Sequence, residues 1–261
     1  MVIDFHAHIY PEKIAEKATN SISTFYNIKM AYNGSVEKLI ESGNKIGVEK
    51  YLVHSTATKP EQVTHINDFI ISECEKHDCF IGFGTLHQDF AENFSEIDRI
   101  INRGIKGIKL HPDFQRFEFD SPKMDAVYDY LSQKSMPILV HAGDCRYDFS
   151  GPKRIANVID KFPKLKIVAA HFGGYTQWQD AMEFLVGKHV WFDTSSTLWK
   201  LDYTTAEKMI NKHGAEKFFF GTDYPMWDHC DELKRFMKLK ISDLQREMIL
   251  YKNAVEFLEI K

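Results

Sequence analysis

The sequence has little of what membrane-bound or secreted proteins are built from. Its apolar runs stay well below the roughly 20 residues that a helix needs to span a bilayer. No basic segment of the kind found in secretory signals precedes the first strand-like residues, 2–5. The four cysteines, at positions 74, 79, 145 and 230, show no paired framework. We therefore expect a cytoplasmic protein whose cysteines are reduced.

An excess of positive charge is also missing. The chain has 33 basic and 37 acidic residues, a net charge of −4, whereas nucleic-acid-binding domains usually carry a basic surface. This balance argues against nucleic acid or a membrane as partner and leaves a small-molecule substrate as the expected one. Low-complexity segments and linkers are absent as well, and the 261 residues are expected to form one domain, 1–261.

What the chain does contain is a regular alternation of short β-branched and aromatic runs with segments of helical periodicity. Most of these runs are continuously apolar, as expected of parallel strands that are buried on both faces. The eight candidate strands are residues 2–9, 50–55, 80–86, 104–111, 137–141, 166–171, 190–194 and 218–223.

Eight strands alternating with helices in about 250 residues predict an α/β protein folded as a (β/α)8 TIM barrel. A doubly wound open sheet is the structural alternative. The first connection, residues 10–48, is the longest. We expect it to place an extra loop or helix over the barrel mouth, because functional residues often lie in such segments.

Polar side chains end several of the predicted strands. His6 and His8 end the first, and Lys109 and His111 end the fourth, each pair at the two-residue spacing that points both side chains to one side. Other strands end in single polar residues, namely His141, His171 and Asp223. In a parallel barrel all strand C-termini meet at one face, so these residues are expected to converge there.

Imidazole and carboxylate groups are typical ligands of a borderline divalent ion such as zinc. Three neutral histidines and one aspartate leave a net charge near +1 on such a centre, which lowers the pKa of bound water to roughly 7. An aspartate beside that water can accept its proton, and a further histidine can polarise a substrate carbonyl. The pattern therefore predicts a metal-dependent enzyme.

The same residues resemble the amidohydrolase superfamily, and within it the amidohydrolase-related branch that holds both hydrolases and aminocarboxymuconate-semialdehyde-type decarboxylases. Segments 107–112, 170–174 and 192–195 also resemble that branch, and the resemblance runs in order along the whole chain. The residues that carry it are His6-Ala7-His8, His141, His171 and Gly221-Thr222-Asp223-Tyr224-Pro225.

The resemblance implies a role for each matched residue. The metal ligands would be His6, His8, His141 and Asp223, with Asp223 also the proton acceptor and His171 a catalytic residue that polarises substrate. One divalent ion, most often zinc, is the common arrangement in this branch. A second ion is the alternative, because other branches place a carboxylated lysine that bridges two metals at the position of Lys109.

The substrate side of the site is less defined by the sequence. In the one-metal arrangement Lys109 or His111 faces the substrate, and Arg146 is the candidate ligand of a substrate carboxylate. We expect a hydrolase of a small amide, lactone or ester, with a non-oxidative decarboxylase of a small, for instance aromatic, acid as the alternative. A non-catalytic binding barrel is a remote third hypothesis. The resemblance is compatible with a homodimer.

Several further polar residues have plain structural interpretations. Asp193 is expected either to orient another side chain or to form a turn. His54 and His87 are expected at the barrel mouth with their hydrogen bonds satisfied. The remaining histidines are expected on the surface, at positions 65, 77, 189, 213 and 229.

Overall fold

The computed structural model describes residues 1–260; the last residue of the predicted domain, Lys261, lies outside this range. Eight strands form one parallel sheet in which each strand pairs with the next along the chain. The strands are β1 (Val2–His8), β2 (Val48–His54), β3 (Phe80–Thr85), β4 (Gly107–Leu110), β5 (Ile138–Val140), β6 (Ile167–Ala169), β7 (Trp191–Asp193) and β8 (Phe218–Phe219).

Helices fill every connection between the strands, and short 3₁₀ turns adjoin several of them. A π-helical turn, Met248–Lys252, joins the last two helices. The α-helices are α1 (Glu12–Tyr26), α2 (Val36–Asn44), α3 (Val63–Lys76), α4 (Asn93–Asn102), α5 (Pro112–Gln115), α6 (Asp125–Gln133), α7 (Pro152–Lys161), α8 (Trp178–Phe184), α9 (Tyr203–His213), α10 (His229–Met237), α11 (Asp243–Glu247) and α12 (Asn253–Leu258).

The sheet closes on itself through the residues that follow β8. The amide of Phe5 donates to the carbonyl of Phe220 at 2.8 Å, and the amide of His8 donates to the carbonyl of Tyr224 at 2.7 Å. A Cβ atom at Gly221 would lie 3.0 Å from the Cβ of His6, so glycine permits this close approach. The predicted barrel is therefore confirmed, and the open-sheet alternative is wrong.

The barrel interior holds its own apolar cluster, separate from the larger one between strands and helices. Phe5, Phe83 and Phe219 belong to the inner cluster, and the rings of Phe5 and Phe219 stack with centroids 4.0 Å apart. Phe257 and Leu258 of α12 join the same cluster. Active sites of such barrels lie at the opposite end, where the strands end.

An irregularity in β1 directs both of its histidines inward. Phe5 belongs to the inner cluster, but Ala7 belongs to the outer one, although strict alternation would put both on one face. The register of β1 against β2 shifts between Asp4 and Ala7, which accounts for the change. His6 and His8 therefore both point into the barrel mouth, as their two-residue spacing predicts.

The long first connection carries a helix over the mouth, as expected. Helix α1 ends at Tyr26, and Asn27 follows in the left-handed conformation with φ 53°. Ile22 and Tyr26 of this helix and Met30 beyond it reach the pocket at the strand ends. Among residues 1–260 no helix has the length and apolar character required to cross a membrane.

Two histidines expected on the surface are buried, so that expectation was wrong for His213 and His229. The Nδ1 atom of His213 accepts the amide of Gly187 at 2.9 Å, and its Nε2 lies 2.8 Å from the carbonyl oxygen of Val190. His213 shares the helical face of the buried Ala206, and this periodicity could have indicated its burial. In His229, Nδ1 lies 2.8 Å from Ser42 Oγ and Nε2 lies 3.0 Å from Asp4.

His213 should make stability depend on pH. Burial lowers its pKa to about 4 from an ordinary value near 6.5. The neutral ring therefore stabilises the fold fully above pH 6.5, and this contribution is lost as pH falls towards 4. Each pKa unit corresponds to about 1.4 kcal/mol, so roughly 2–3 kcal/mol should disappear between pH 7.5 and pH 4.5.

The measurement is urea denaturation of the wild type and of His213→Gln at both pH values. The variant lacks the titrating ring, so its stability should fall by roughly 2–3 kcal/mol less than that of the wild type over this range. Equal losses in the two proteins would mean that His213 does not contribute to the acid sensitivity.

Candidate metal centre and active site

Three side chains from the two ends of the chain converge at the barrel mouth. His6 Nε2 lies 3.3 Å from His8 Nε2, and Asp223 Oδ1 lies 3.4 Å from each of these nitrogens. Ligand atoms about 2.0–2.2 Å from a tetrahedral ion stand roughly 3.3–3.6 Å apart. The three atoms, which we call the ligand triangle, therefore have the spacing needed to hold one divalent ion.

Unusual backbone conformations aim several side chains into the site. His171, Ser196 and Asp223 have positive φ values of 60°, 47° and 59°. Such values are uncommon outside glycine, and they concentrate at functional sites where the surrounding structure maintains them. In each case the chain has just left a strand, so the left-handed turn changes the direction of the side chain at the mouth.

The fourth predicted ligand, His141, lies beside His171. His141 Nδ1 is 3.0 Å from His171 Nε2, and His141 Nε2 is 3.5 Å from the hydroxyl of Tyr26. Both histidines line the same pocket as His8 and Asp223. The structure thus brings all four predicted ligands and His171 to one site, with His141 on the His171 side of it.

Asp193 orients two of these histidines at once. Its Oδ2 lies 2.8 Å from His6 Nδ1, which leaves His6 Nε2 directed at the triangle. Its Oδ1 accepts the amide of His171 at 3.0 Å and the hydroxyl of Ser195 at 2.5 Å. Carboxylates that hold the outer nitrogen of a metal-binding histidine are a common feature of metal sites. These contacts favour the orienting role over the turn role.

Asp223 is held in a similar way through its second oxygen. Ser196 Oγ donates to Asp223 Oδ2 at 2.5 Å, and the indole nitrogen of Trp227 donates to Ser196 Oγ at 2.8 Å. No role was predicted for Ser195 or Ser196. Their signal in the sequence is the polar run Thr194-Ser195-Ser196 after the seventh strand, and Ser195 also ends the segment 192–195 that resembles the family branch.

The protonation states suit metal binding. Burial lowers the pKa values of His6, His8 and His141, so their rings are neutral, the form in which histidine binds metals. Burial alone would raise the pKa of Asp223, but His6 and the hydrogen bond from His8 lower it well below its ordinary value. Asp223 is therefore an ionised carboxylate among neutral imidazoles.

Lys109 lies at the triangle. Its side chain is fully buried, and its Nζ is 3.0 Å from His6 Nε2. Burial lowers the pKa of Lys109 to about 8. Because Lys109 lies beside the ligand atoms, the alternative in which it bridges two metal ions is compatible with the structure. Lys109 does not line the pocket, so it would affect a substrate through its charge and not through direct contact.

The pocket above the triangle is small and largely enclosed by rings. His111 stacks between Phe114 and His141, with centroid distances of 3.7 Å and 4.0 Å. The space among the lining side chains is about 340 Å³, part of which is open to solvent. The lining residues are His8, Ile22, Tyr26, Met30, His111, Phe114, His141, His171, Asp223, Pro225 and Met226.

Arg146 is engaged with the protein itself. Its Nε and Nη2 donate to Asp144 at 2.9 Å and 2.6 Å, its Nη1 donates to the carbonyl of Phe25, and its guanidinium lies 4.2 Å from the centroid of the Phe25 ring. Arg146 thus fastens the end of α1 beside the pocket. Binding of a substrate carboxylate, its predicted role, would require it to leave Asp144.

Two pocket neighbours were not found from the sequence. The hydroxyl of Tyr26 lies 3.0 Å from His111 Nε2, but Tyr26 sits in an unremarkable helix far from any strand end. Asp113 accepts the hydroxyl of Ser150, and burial raises its pKa to about 6. Asp113 Oδ2 lies 4.0 Å from His141 Nε2. The only sequence signal for this position is that Asp113 follows His111 by two residues.

The fold and the site together define a barrel enzyme with a histidine- and aspartate-based metal centre. A family model described as amidohydrolase matches residues 3–260. The chain therefore belongs to the amidohydrolase family, as the motifs predicted.

Some of the proteins similar to this chain are named decarboxylases, and another is named a probable 2-pyrone-4,6-dicarboxylic acid hydrolase. The decarboxylase orsB of Emericella nidulans is 26% identical over 127 residues, which cover 40% of this chain and 38% of that protein. Two solved structures share the fold. One is 5-carboxyvanillate decarboxylase LigW from Sphingomonas paucimobilis, with a TM-score of 0.78, 14% identity and coverage of 100% and 99% of the two chains.

The other is a dihydroxybenzoic acid decarboxylase from a Polaromonas species, solved with manganese and the inhibitor 2-nitroresorcinol. Its TM-score is 0.78 at 16% identity, with coverage of 99% of this chain and 97% of that one. At identities of 14% and 16%, these two structures show that the fold is shared.

Loss of the Asp193 carboxylate should weaken metal binding without removing a ligand. In Asp193→Asn the amide can hold only part of the contacts to His6, His171 and Ser195, so His6 loses its fixed orientation. We expect the affinity for a divalent ion to fall by about 10–100-fold. Competition with a chromogenic chelator measures this, and an unchanged affinity would contradict the orienting role.

Proposed function

We propose that the protein is a metal-dependent, non-oxidative decarboxylase of a small aromatic carboxylic acid. The observation that carries the proposal is the aromatic lining of the pocket: the rings of Tyr26, His111 and Phe114 line the same pocket as His8 and Asp223 of the ligand triangle. Aromatic side chains beside a metal centre suit an aromatic substrate whose polar groups bind the metal. The decarboxylase names of the relatives support the same activity.

The metal centre is proposed to consist of His6, His8, Asp223 and His141. One bound divalent ion would act as a Lewis acid that holds the substrate's oxygens and accepts charge from them. Zinc is the expected ion, and manganese, which the Polaromonas protein binds, suits the same mixture of imidazole and carboxylate ligands. Asp193 and Ser196 would keep the donors in place.

The proton needed for the reaction is proposed to come from Asp223 and His171. In decarboxylation the bond between the ring carbon and the carboxylate breaks, carbon dioxide leaves, and the electron pair remains on the carbon, which takes up a proton. Asp223 is ionised before substrate binds, so it can accept a substrate proton and return it to the carbon. His171, fixed through its Nδ1 by Ser195 at 2.9 Å, presents Nε2 on the pocket side.

Substrate contacts are proposed for His111, Lys109 and Arg146. His111 lines the pocket and would stack against or hydrogen-bond a ring substituent. Lys109 would act through its charge at the triangle. Arg146 would bind a second carboxylate of the substrate only after breaking its hydrogen bonds to Asp144.

Hydrolysis of an ester, lactone or amide is the second candidate function. The same ionised Asp223 is what a hydrolase needs to take the proton of an attacking water molecule. Hydrolysis and decarboxylation therefore share the centre and differ in the bound substrate.

Metal content is the first test. Protein purified without added metal should contain about one divalent ion per chain by plasma emission, and His141→Ala and Asp223→Ala should lose it. His87→Ala, which alters a buried histidine outside the pocket lining, is the control and should retain it. Two ions per chain would assign Lys109 a bridging role, and a chain that takes up no ion would refute the metal centre.

Activity is the second test. The metal-loaded protein should release carbon dioxide from hydroxylated benzoic acids, and Asp223→Asn should reduce the rate by about 10²–10⁴-fold. A panel of lactones, esters and amides provides the comparison. Turnover of that panel without carbon dioxide release would replace the decarboxylase by the hydrolase, and inactivity towards both panels would leave a binding barrel.

A further inference from the structure

His54 is a buried histidine next to the ligand triangle that the proposed centre does not use. It ends β2, where it pairs in register with His8 of β1. Its ring meets the ring of His8 edge-on, with centroids 4.3 Å apart, and that of His6 with centroids 4.9 Å apart. Ligand atoms from these three residues all lie within 4.8 Å of one another.

Both ring nitrogens of His54 lack a hydrogen-bond partner among the described residues, although the side chain is completely buried. Leaving a buried polar group without a partner destabilises the fold, because the group has lost its hydrogen bonds to water. The expectation that His54 is a satisfied residue of the barrel mouth was therefore wrong. An apolar side chain of similar size would avoid this cost if His54 only filled space.

His6, His141 and His171 differ from His54 in this respect, and His8 lacks a partner at Nδ1 alone. His6 Nδ1 contacts Asp193, His171 Nδ1 contacts Ser195, and His141 Nδ1 contacts His171. Each of those rings is fixed by the protein. The ring of His54 has donor and acceptor capacity left over, beside atoms that already have the spacing of metal ligands.

We propose that His54 is a further nitrogen donor to the metal centre, an inference that rests on the proposed centre of His6, His8, His141 and Asp223. Neutral imidazole suits the same borderline divalent ions as the other donors. Binding of the ion by His54 would satisfy a nitrogen that is otherwise buried without a partner. The centre would then have a donor from β2 in addition to those from β1 and from the ends of β5 and β8.

Cobalt(II) is the probe for this proposal, because its visible absorption reports the number and type of its ligands and needs no substrate. The test compares wild type with His54→Leu, which removes both nitrogens but keeps an apolar side chain in the space. His87→Leu, a change at a buried histidine of the neighbouring strand end, is the matched control.

Two results are expected for His54→Leu. Its affinity for cobalt in chelator competition should fall by about 10–100-fold, as for loss of a supporting metal contact, and its visible absorption band should change in position or intensity. His87→Leu should match the wild type in both measurements. Identical affinity and spectrum for His54→Leu and wild type would overturn the role of His54, while a wild type that binds no cobalt would overturn the metal centre itself.

Thermal unfolding separates ligation from a structural role. Without metal, His54→Leu should melt at or above the wild-type temperature, because two unsatisfied polar atoms are gone. Added metal should raise the melting temperature of His54→Leu less than that of the wild type, because an ion that is bound more weakly stabilises the folded state less. A variant that loses stability equally with and without metal would overturn the proposal, and His54→Gln, which keeps a polar side chain, serves if His54→Leu does not fold.

Discussion

The site depends on the closure of the last strand against the first. The amide of Asp223 donates to the carbonyl of His6 at 2.9 Å, so the two ends of the functional pattern share one backbone contact. This contact places Asp223 Oδ1 at equal distances from His6 Nε2 and His8 Nε2. Because Gly221 has no Cβ atom, the chain after β8 can come this close to β1. Barrel closure and assembly of the ligand triangle are therefore the same structural event.

Burial of so many polar groups requires that they satisfy one another. Asp193 and Ser195 contact His6 and His171, and Ser196 contacts Asp223. One short segment at the end of β7 therefore fixes a side chain of β1 and side chains that follow β6 and β8. The imidazoles of His6 and His141 stay neutral because burial lowers the pKa of each, since charging them there would cost desolvation energy. A neutral, fixed set of donors around one carboxylate is what a divalent ion needs.

The strands and the convergence of His6, His8 and Asp223 could be predicted, because apolar runs and residue spacing are visible in the sequence. Apolar runs define the strands, and the two-residue spacing of His6 and His8 survives the register shift in β1. Tyr26 could not be predicted, since its place at the pocket depends on how α1 crosses the mouth. The same holds for Ser196, whose direction follows from a left-handed backbone, and for the burial of His229 against Asp4, which depends on packing between distant elements.

The ligand triangle is compatible with decarboxylation and with hydrolysis, so the two proposed activities must be distinguished by the residues that α1 places over the pocket. Helix α1 supplies Ile22 and Tyr26, and Arg146 holds its end through the carbonyl of Phe25. The rings of Tyr26 and Phe114 lie with centroids 5.9 Å apart, so they contact each other and form one aromatic wall of the pocket. The proposed decarboxylase and the alternative hydrolase would differ in the substrate that the region between α1 and the triangle admits. The contacts of Arg146 with Asp144 and with the carbonyl of Phe25 hold that region in place.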